Sequence, residues 1–180
     1  ANFLRGVPID ADMNYVGGFW NLLNPYALAG GLTTLSIFAL HGAVFLTLKT
    51  SGEVMARAQK AADRLWLPSI ALLFVAAILS MFQTDMFAKG IWMNTLVTLA
   101  VIALFLVGFY LRRQQHGRAF ITTGVTIALV TISIFYGLFP NVIVSSLNPE
   151  WSLTIYSASS SPYTLKVMSI IALTRVPVVL

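Results

Sequence analysis

The stretch NPYALAGGLTTLSIFALHGAVFLTL, residues 24–48, holds no Lys, Arg, Asp or Glu across 25 consecutive positions. As a helix rising about 1.5 Å per residue it exceeds the 30 Å or so of a bilayer's hydrocarbon core. It is longer than a perpendicular crossing needs, so it should tilt or protrude. Four more apolar segments follow it: Leu65 to Phe82, Ile91 to Leu111, Ala119 to Phe139, and Tyr163 to Leu180. The fold class expected is all-α: a polytopic transmembrane helix bundle of five membrane-spanning helices over 24–48, 65–82, 91–111, 119–139 and 163–180. The whole chain, 1–180, forms one transmembrane region.

Composition agrees. Of 180 residues 58% are hydrophobic and only 9% charged, with a mean hydropathy of +0.83. A soluble domain of this size needs more polar surface. The net charge of +5 does not point to nucleic acid, because the basic residues gather in two short connections. Lys49, Arg57, Lys60 and Arg64 lie between the first and second spans; Arg112, Arg113 and Arg118 lie between the third and fourth. Across the membrane, 83–90 carries only Lys89, 140–162 carries no Lys or Arg, and the leading segment carries only Arg5. The positive-inside rule then makes 49–64 and 112–118 cytoplasmic loops. Residues 1–22, 83–90 and 140–162 become extracytoplasmic. Trp20, Tyr26 and Trp92 should sit at the outer headgroups, Trp66 and Tyr110 at the inner ones.

Residues 49–64 read as a helical extension beyond the membrane, with alanines and an i, i+4 pair of Glu53 and Arg57. Asp85 and Lys89 have the same spacing. The loop NPEWSLTIYSASSSPY (148–163) is rich in turn formers, and a loop of this length suits either a partner contact or a plain connector. The chain has no cysteine, which removes disulfides, thiolate metal sites and iron–sulfur clusters.

His41 is the one ionisable residue inside the first span. It lies about 10 Å below that span's inner end, on a face shared with Thr34, Phe38 and Phe45. Heme ligation by a lone histidine is chemically open, but no second histidine, methionine or carboxylate stands a turn away. A proton relay would need acidic neighbours, and every acidic residue lies outside the spans. A hydrogen bond to a neighbouring helix is the reading favoured. Catalytic, cofactor-binding and metal-ligating residues are therefore all expected to be none. Small-residue pairs, Ala27–Gly31, Ala39–Ala43 and Gly124–Ala128, suit close helix packing. Arg175 lies about 18 Å into the fifth span and must pair, face a polar interior or snorkel.

Three stretches carry a family resemblance: FWNLLNPYALAGGL (19–32), ALHGAVFLTLKT (39–50) and GLFPNVIVSSLNPEWSLTIYSASSSPYTLKVM (137–168), with LRGVPID (4–10) before them. From Leu4 to Thr174 the chain resembles subunit II of the bacterial cytochrome bd quinol oxidases. The resemblance implies the second four-helix bundle and the last, peripheral helix of a protein about twice this length. It implies a respiratory terminal oxidase that couples quinol oxidation to reduction of oxygen to water and generates a proton gradient. Its b-type and d-type hemes and its quinol site would belong to subunit I, the heme-bearing partner, with no cofactor held by this chain. Small single-helix accessory subunits, membrane lipid and quinone complete the implied partners, without nucleic acid; the implied location is the bacterial plasma (inner) membrane. His41 matches the family's His-Gly pair, where packing or an indirect proton-path role is implied. Arg175 departs from the apolar residue the family leads one to expect. The competing reading is a polytopic transporter or channel subunit lined by residues such as Thr33, Thr34, Ser36, Thr95 and Thr98. The inverted repeats that such proteins carry are not evident.

Overall fold

A computed structural model describes residues 1–174 with their side chains and the backbone through Val179. Its frame is four long antiparallel helices: α3 (Pro25–Lys49), α4 (Gly52–Gln83), α5 (Ile91–Arg112) and α6 (His116–Leu138). All four are long and apolar enough to cross a membrane. They form a ring. The α3–α4 and α5–α6 pairs share the most extensive contacts, and α4–α5 and α3–α6 close the circle. One end, with the connections Thr50–Ser51 and Arg113–Gln115, carries the basic residues and is called the basic end here. The opposite end carries residues 1–24, 84–90 and 139–161 and is called the cap end.

Local chemistry sets the helix limits. Asn24 caps α3, its side-chain oxygen accepting from the Ala27 amide at 2.9 Å, and Pro25 supplies the pre-set first turn. Lys49 closes α3 where the helix dipole favours a cation. Gly52 opens α4 at φ +63°, a left-handed geometry that side chains resist. The helix then runs 32 residues, about 48 Å. Residues 52–64 are thus the first turns of α4, and the expected loop 49–64 shrinks to two residues between α3 and α4. The extension was foreseen as helical, and Arg57 does bond Glu53 at 2.6 Å. Gly90, at φ +102°, turns the chain from a short 3-10 turn (Met86–Lys89) into α5.

The core lies nearer the basic end, where Ile37, Leu40, Val44, Leu73, Leu104, Val107 and Leu111 pack with Ala62 and Ala119. Burying leucine-sized side chains here contributes about 1.5–3 kcal/mol each in water. Between helices in lipid that drive is absent, and close packing and hydrogen bonds take over.

The cap end departs from an all-helical fold. Two short strands, β1 (Asn141–Ile143) and β2 (Leu153–Thr154), pair antiparallel. Val7 bridges Ser145 in parallel and Ile9 bridges Tyr15. Two one-turn helices, α1 (Asn2–Arg5) and α2 (Phe19–Leu22), lead into α3. The expectation of all-α structure holds for the bundle and gives way here, because turn-rich segments must satisfy their amides in pairs once they pack on each other. After this cap comes α7 (Pro162–Val179), where the fifth span was expected. Through Thr174 its side chains are exposed apart from a half-buried Val167. The side chain of Arg175 lies outside the described residues.

Candidate functional site

The polar groups inside the bundle line up along α3. Tyr26, Thr33, Ser36, Leu40, Val44 and Thr47 recur at three-, four- and seven-residue spacings and are buried, as one helix face requires. Tyr26 reaches Ser80 of α4 at 2.9 Å. Thr33 reaches the Leu72 carbonyl of α4 at 3.0 Å, and Ser36 reaches Ser69 of α4 at 2.7 Å. His41 Nδ1 lies 2.7 Å from Thr123 Oγ1 of α6.

A hydroxyl has one hydrogen to give. Ser80, Ser69 and Thr123 each also reach a backbone carbonyl of their own helix, at Ala76, Leu65 and Phe120. With those hydrogens on the carbonyls, Tyr26, Ser36 and His41 Nδ1 donate across the seams; with them turned outward, the α4 and α6 hydroxyls donate instead. Thr33 Oγ1 lies 2.7 Å from the Ala29 carbonyl of its own helix and 3.0 Å from the Leu72 carbonyl, so its one hydrogen is shared between them. These bonds hold neighbouring helices together.

His41 thus makes the interhelical bond favoured by the sequence. Its ring stacks on Phe120, centroids 4.7 Å apart, and Phe45 leans on the same ring. Gly124 backs the imidazole, with Cε1 at contact range of the place a side chain would occupy. Other expectations change. Tyr26 is buried against Ser80, whereas Trp20 and Trp92 are exposed. Gly31 faces open space, so the Ala27–Gly31 pair brings no helix close within this chain. The close approach occurs instead at Gly108, where any side chain would collide with the Trp66 indole. Trp66 lies across α5 there and donates Nε1 to the Leu104 carbonyl at 2.9 Å. Lys89 pairs not with Asp85 but with the Phe139 carbonyl, its Nζ donating, and burial lowers its pKa below the usual lysine value.

Several concavities remain, two of which border the residues above. A cavity of about 110 Å³ opens toward the cap end between Tyr26, Thr33, Leu73, Ser80, Met86 and Ser133. A groove of about 430 Å³ runs between α4 and α5 at the basic end. His41 lines neither of them. Among the described residues no three His, Cys, Asp or Glu side chains cluster as metal ligands.

In the cap, Ser145 is the hub. Its hydroxyl donates to the Ile9 carbonyl at 3.0 Å and takes the Leu147 amide, while its own amide bonds Ser152 Oγ. Val7 and Val144, then Ser146 and Val7, exchange backbone bonds at 2.9 and 3.0 Å. The Ser-Ser-Leu element thus serves to join the two ends of the cap.

The family model for cytochrome bd terminal oxidase subunit II matches residues 1–180. The chain is 41% identical over 177 residues to cytochrome bd ubiquinol oxidase subunit 2 of Bacillus subtilis (strain 168), covering 98% of this chain and 52% of that one. It is 28% identical over 213 aligned positions to cytochrome bd-I ubiquinol oxidase subunit 2 of Escherichia coli (strain K12), at 99% and 56% coverage. It is 30% identical to the probable cytochrome oxidase subunit 2 of Haemophilus influenzae, at 99% and 56%. The chain spans about half the length of the curated relatives it matches. With the match running from the first residue to the last, the chain belongs to the cytochrome bd terminal oxidase subunit II family.

Proposed function

We propose that this chain is the part of subunit II that builds one four-helix bundle and one peripheral helix of a cytochrome bd quinol oxidase. In that assembly quinol is oxidised, oxygen is reduced to water and a proton gradient results. The b-type and d-type hemes and the quinol site are carried by subunit I, the larger partner. The observation that carries this reading is the family match over the whole chain. The interior chemistry is compatible with that division of labour: polar groups of the bundle hydrogen-bond one another and backbone carbonyls. The role assigned to the chain is to give subunit I a rigid neighbour in the bilayer.

In the same reading α7 is the fifth span. Its apolar side chains Leu165, Ile170, Ile171 and Leu173 are exposed, as suits a helix that meets lipid or a partner. The basic end faces the cytoplasm, the cap faces outward, and the membrane is the bacterial plasma membrane. Single-helix accessory subunits, lipid and quinone are further companions; nucleic acid is not.

The test is a pull-down of the full-length protein from detergent extract, followed by a reduced-minus-oxidised spectrum. A d-type heme band in material that also contains a second, larger subunit is expected. Heme that stays on this polypeptide after the larger subunit is stripped away would refute the division of labour.

A further inference from the structure

We infer that the groove between α4 and α5 at the basic end binds one zwitterionic phospholipid headgroup bearing a primary ammonium, that is, phosphatidylethanolamine. The inference rests on α4 and α5 crossing a membrane and not on the redox assignment. The groove is lined by Gln59, Asp63, Trp66 and Leu67 of α4, and by Gly108, Leu111 and Arg112 with Gln114 of α5 and its connection. From Trp66 to Gln59 it extends seven residues along α4, about 10 Å, the depth of a headgroup layer. Its volume, about 430 Å³, suits a headgroup with its glycerol backbone.

The groove carries two opposite charges that form no ion pair among the described residues. The Gln59 amide nitrogen lies 3.5 Å from both Asp63 Oδ1 and the Leu111 carbonyl, which sets the carboxylate at the α4 rim. On the other rim the Arg112 guanidinium lies over the Trp66 ring, 5.3 Å from its centroid, and donates no hydrogen bond among the described residues. Stacking on a ring orients the guanidinium and leaves its N–H edge free for an oxyanion. A cation and an anion across one cleft match a phosphate and an ammonium on one headgroup. Below them, the exposed side chain of Leu67 offers an apolar surface where acyl chains begin.

The same groups disfavour other lipids. A quaternary ammonium has no N–H to give Asp63, and the aromatic face that would hold it is already covered by Arg112. Phosphatidylglycerol brings a phosphate for Arg112 but no cation for Asp63.

The experiment is native mass spectrometry of the full-length protein, in whatever complex it purifies with, delipidated and then given phosphatidylethanolamine, phosphatidylcholine or phosphatidylglycerol separately. One tightly held phosphatidylethanolamine is expected. Asp63→Asn should lower its occupancy about fivefold, the size of one exposed ionic contact, and abolish the preference over phosphatidylcholine. Asp63→Glu should retain the preference, which separates a charge effect from misfolding. Arg112→Gln should weaken all three lipids alike. Equal occupancy by the three lipids, preference for phosphatidylglycerol, an Asp63→Asn protein that still prefers phosphatidylethanolamine, or a protein segment filling the groove in the assembled complex would each overturn the inference.

Discussion

Replacing Gly108 with alanine is expected to be one of the most damaging single-methyl changes in the bundle. A methyl at Gly108 would stand 2.6 Å from Trp66 Nε1 and closer still to the neighbouring ring carbons. The indole must move. Forcing one carbon into a filled site costs about 1–3 kcal/mol. Losing the Trp66–Leu104 bond across the α4–α5 seam costs about 0.6–1.7 kcal/mol in a membrane bundle. Displacing Arg112 from the ring removes about 0.5–1 kcal/mol more. Alanine gains back up to about 1 kcal/mol of helix propensity. The net loss should be near 3 kcal/mol, read from unfolding in mixed micelles by far-ultraviolet circular dichroism. The decisive control is the same substitution in a Trp66→Ala background. There the methyl enters open space, and Gly108→Ala should be neutral or stabilising, giving a coupling energy of about 3–4 kcal/mol. If Gly108→Ala is as stable as the parent while Trp66 is present, the packing argument is refuted.

Other outcomes follow from the interhelical bonds. His41→Leu and Thr123→Val should each destabilise modestly, with a coupling of about 0.6 kcal/mol and no more than about 1.7 in a double-mutant cycle; strict additivity would contradict the bond. Tyr26→Phe should cost about 1 kcal/mol because it removes the hydroxyl bonded to Ser80, with no further loss when Ser80→Ala is added. Glu53→Gln should change stability by less than about 0.5 kcal/mol, since the Glu53–Arg57 side chains are 77–79% exposed. Lys89 sets a pH dependence. Its folded pKa is lowered from 10.5 by burial, so above the folded value the unfolded chain holds more protons. Stability should therefore rise with pH through the window that ends near 10.5. A Lys89→Met protein should lack that rise in a denaturation series between pH 8 and pH 10.5.

The four spans were legible because lipid leaves the backbone little choice. Expected limits of 24–48 and 91–111 became Pro25–Lys49 and Ile91–Arg112, and turn formers such as Asn24–Pro25 and Gly90 marked the edges. The His41 bond was legible for a related reason: a polar ring in a span needs a partner, and helix neighbours supply one. What stayed hidden was non-local. Nothing in VPI (7–9) or NVIVSS (141–146) announces that they pair, because neither alternates polar with apolar residues over a useful length. Lys89 looked committed to Asp85 by spacing, but a carbonyl at Phe139, fifty residues on, took it. The packing of Trp66 on α5 stayed hidden because it depends on a glycine 42 positions away.

The braid that ties Val7 and Ile9 to Ser145 has a consequence for biogenesis. Its halves are 136 residues apart, with four hydrophobic helices between them. At about 5–20 residues per second, a ribosome needs roughly 7–27 s to deliver the second half after the first. Throughout that interval the early segment waits with its amides unpaired, an invitation to wrong partners. The cap can thus close only after α3 to α6 have all been made.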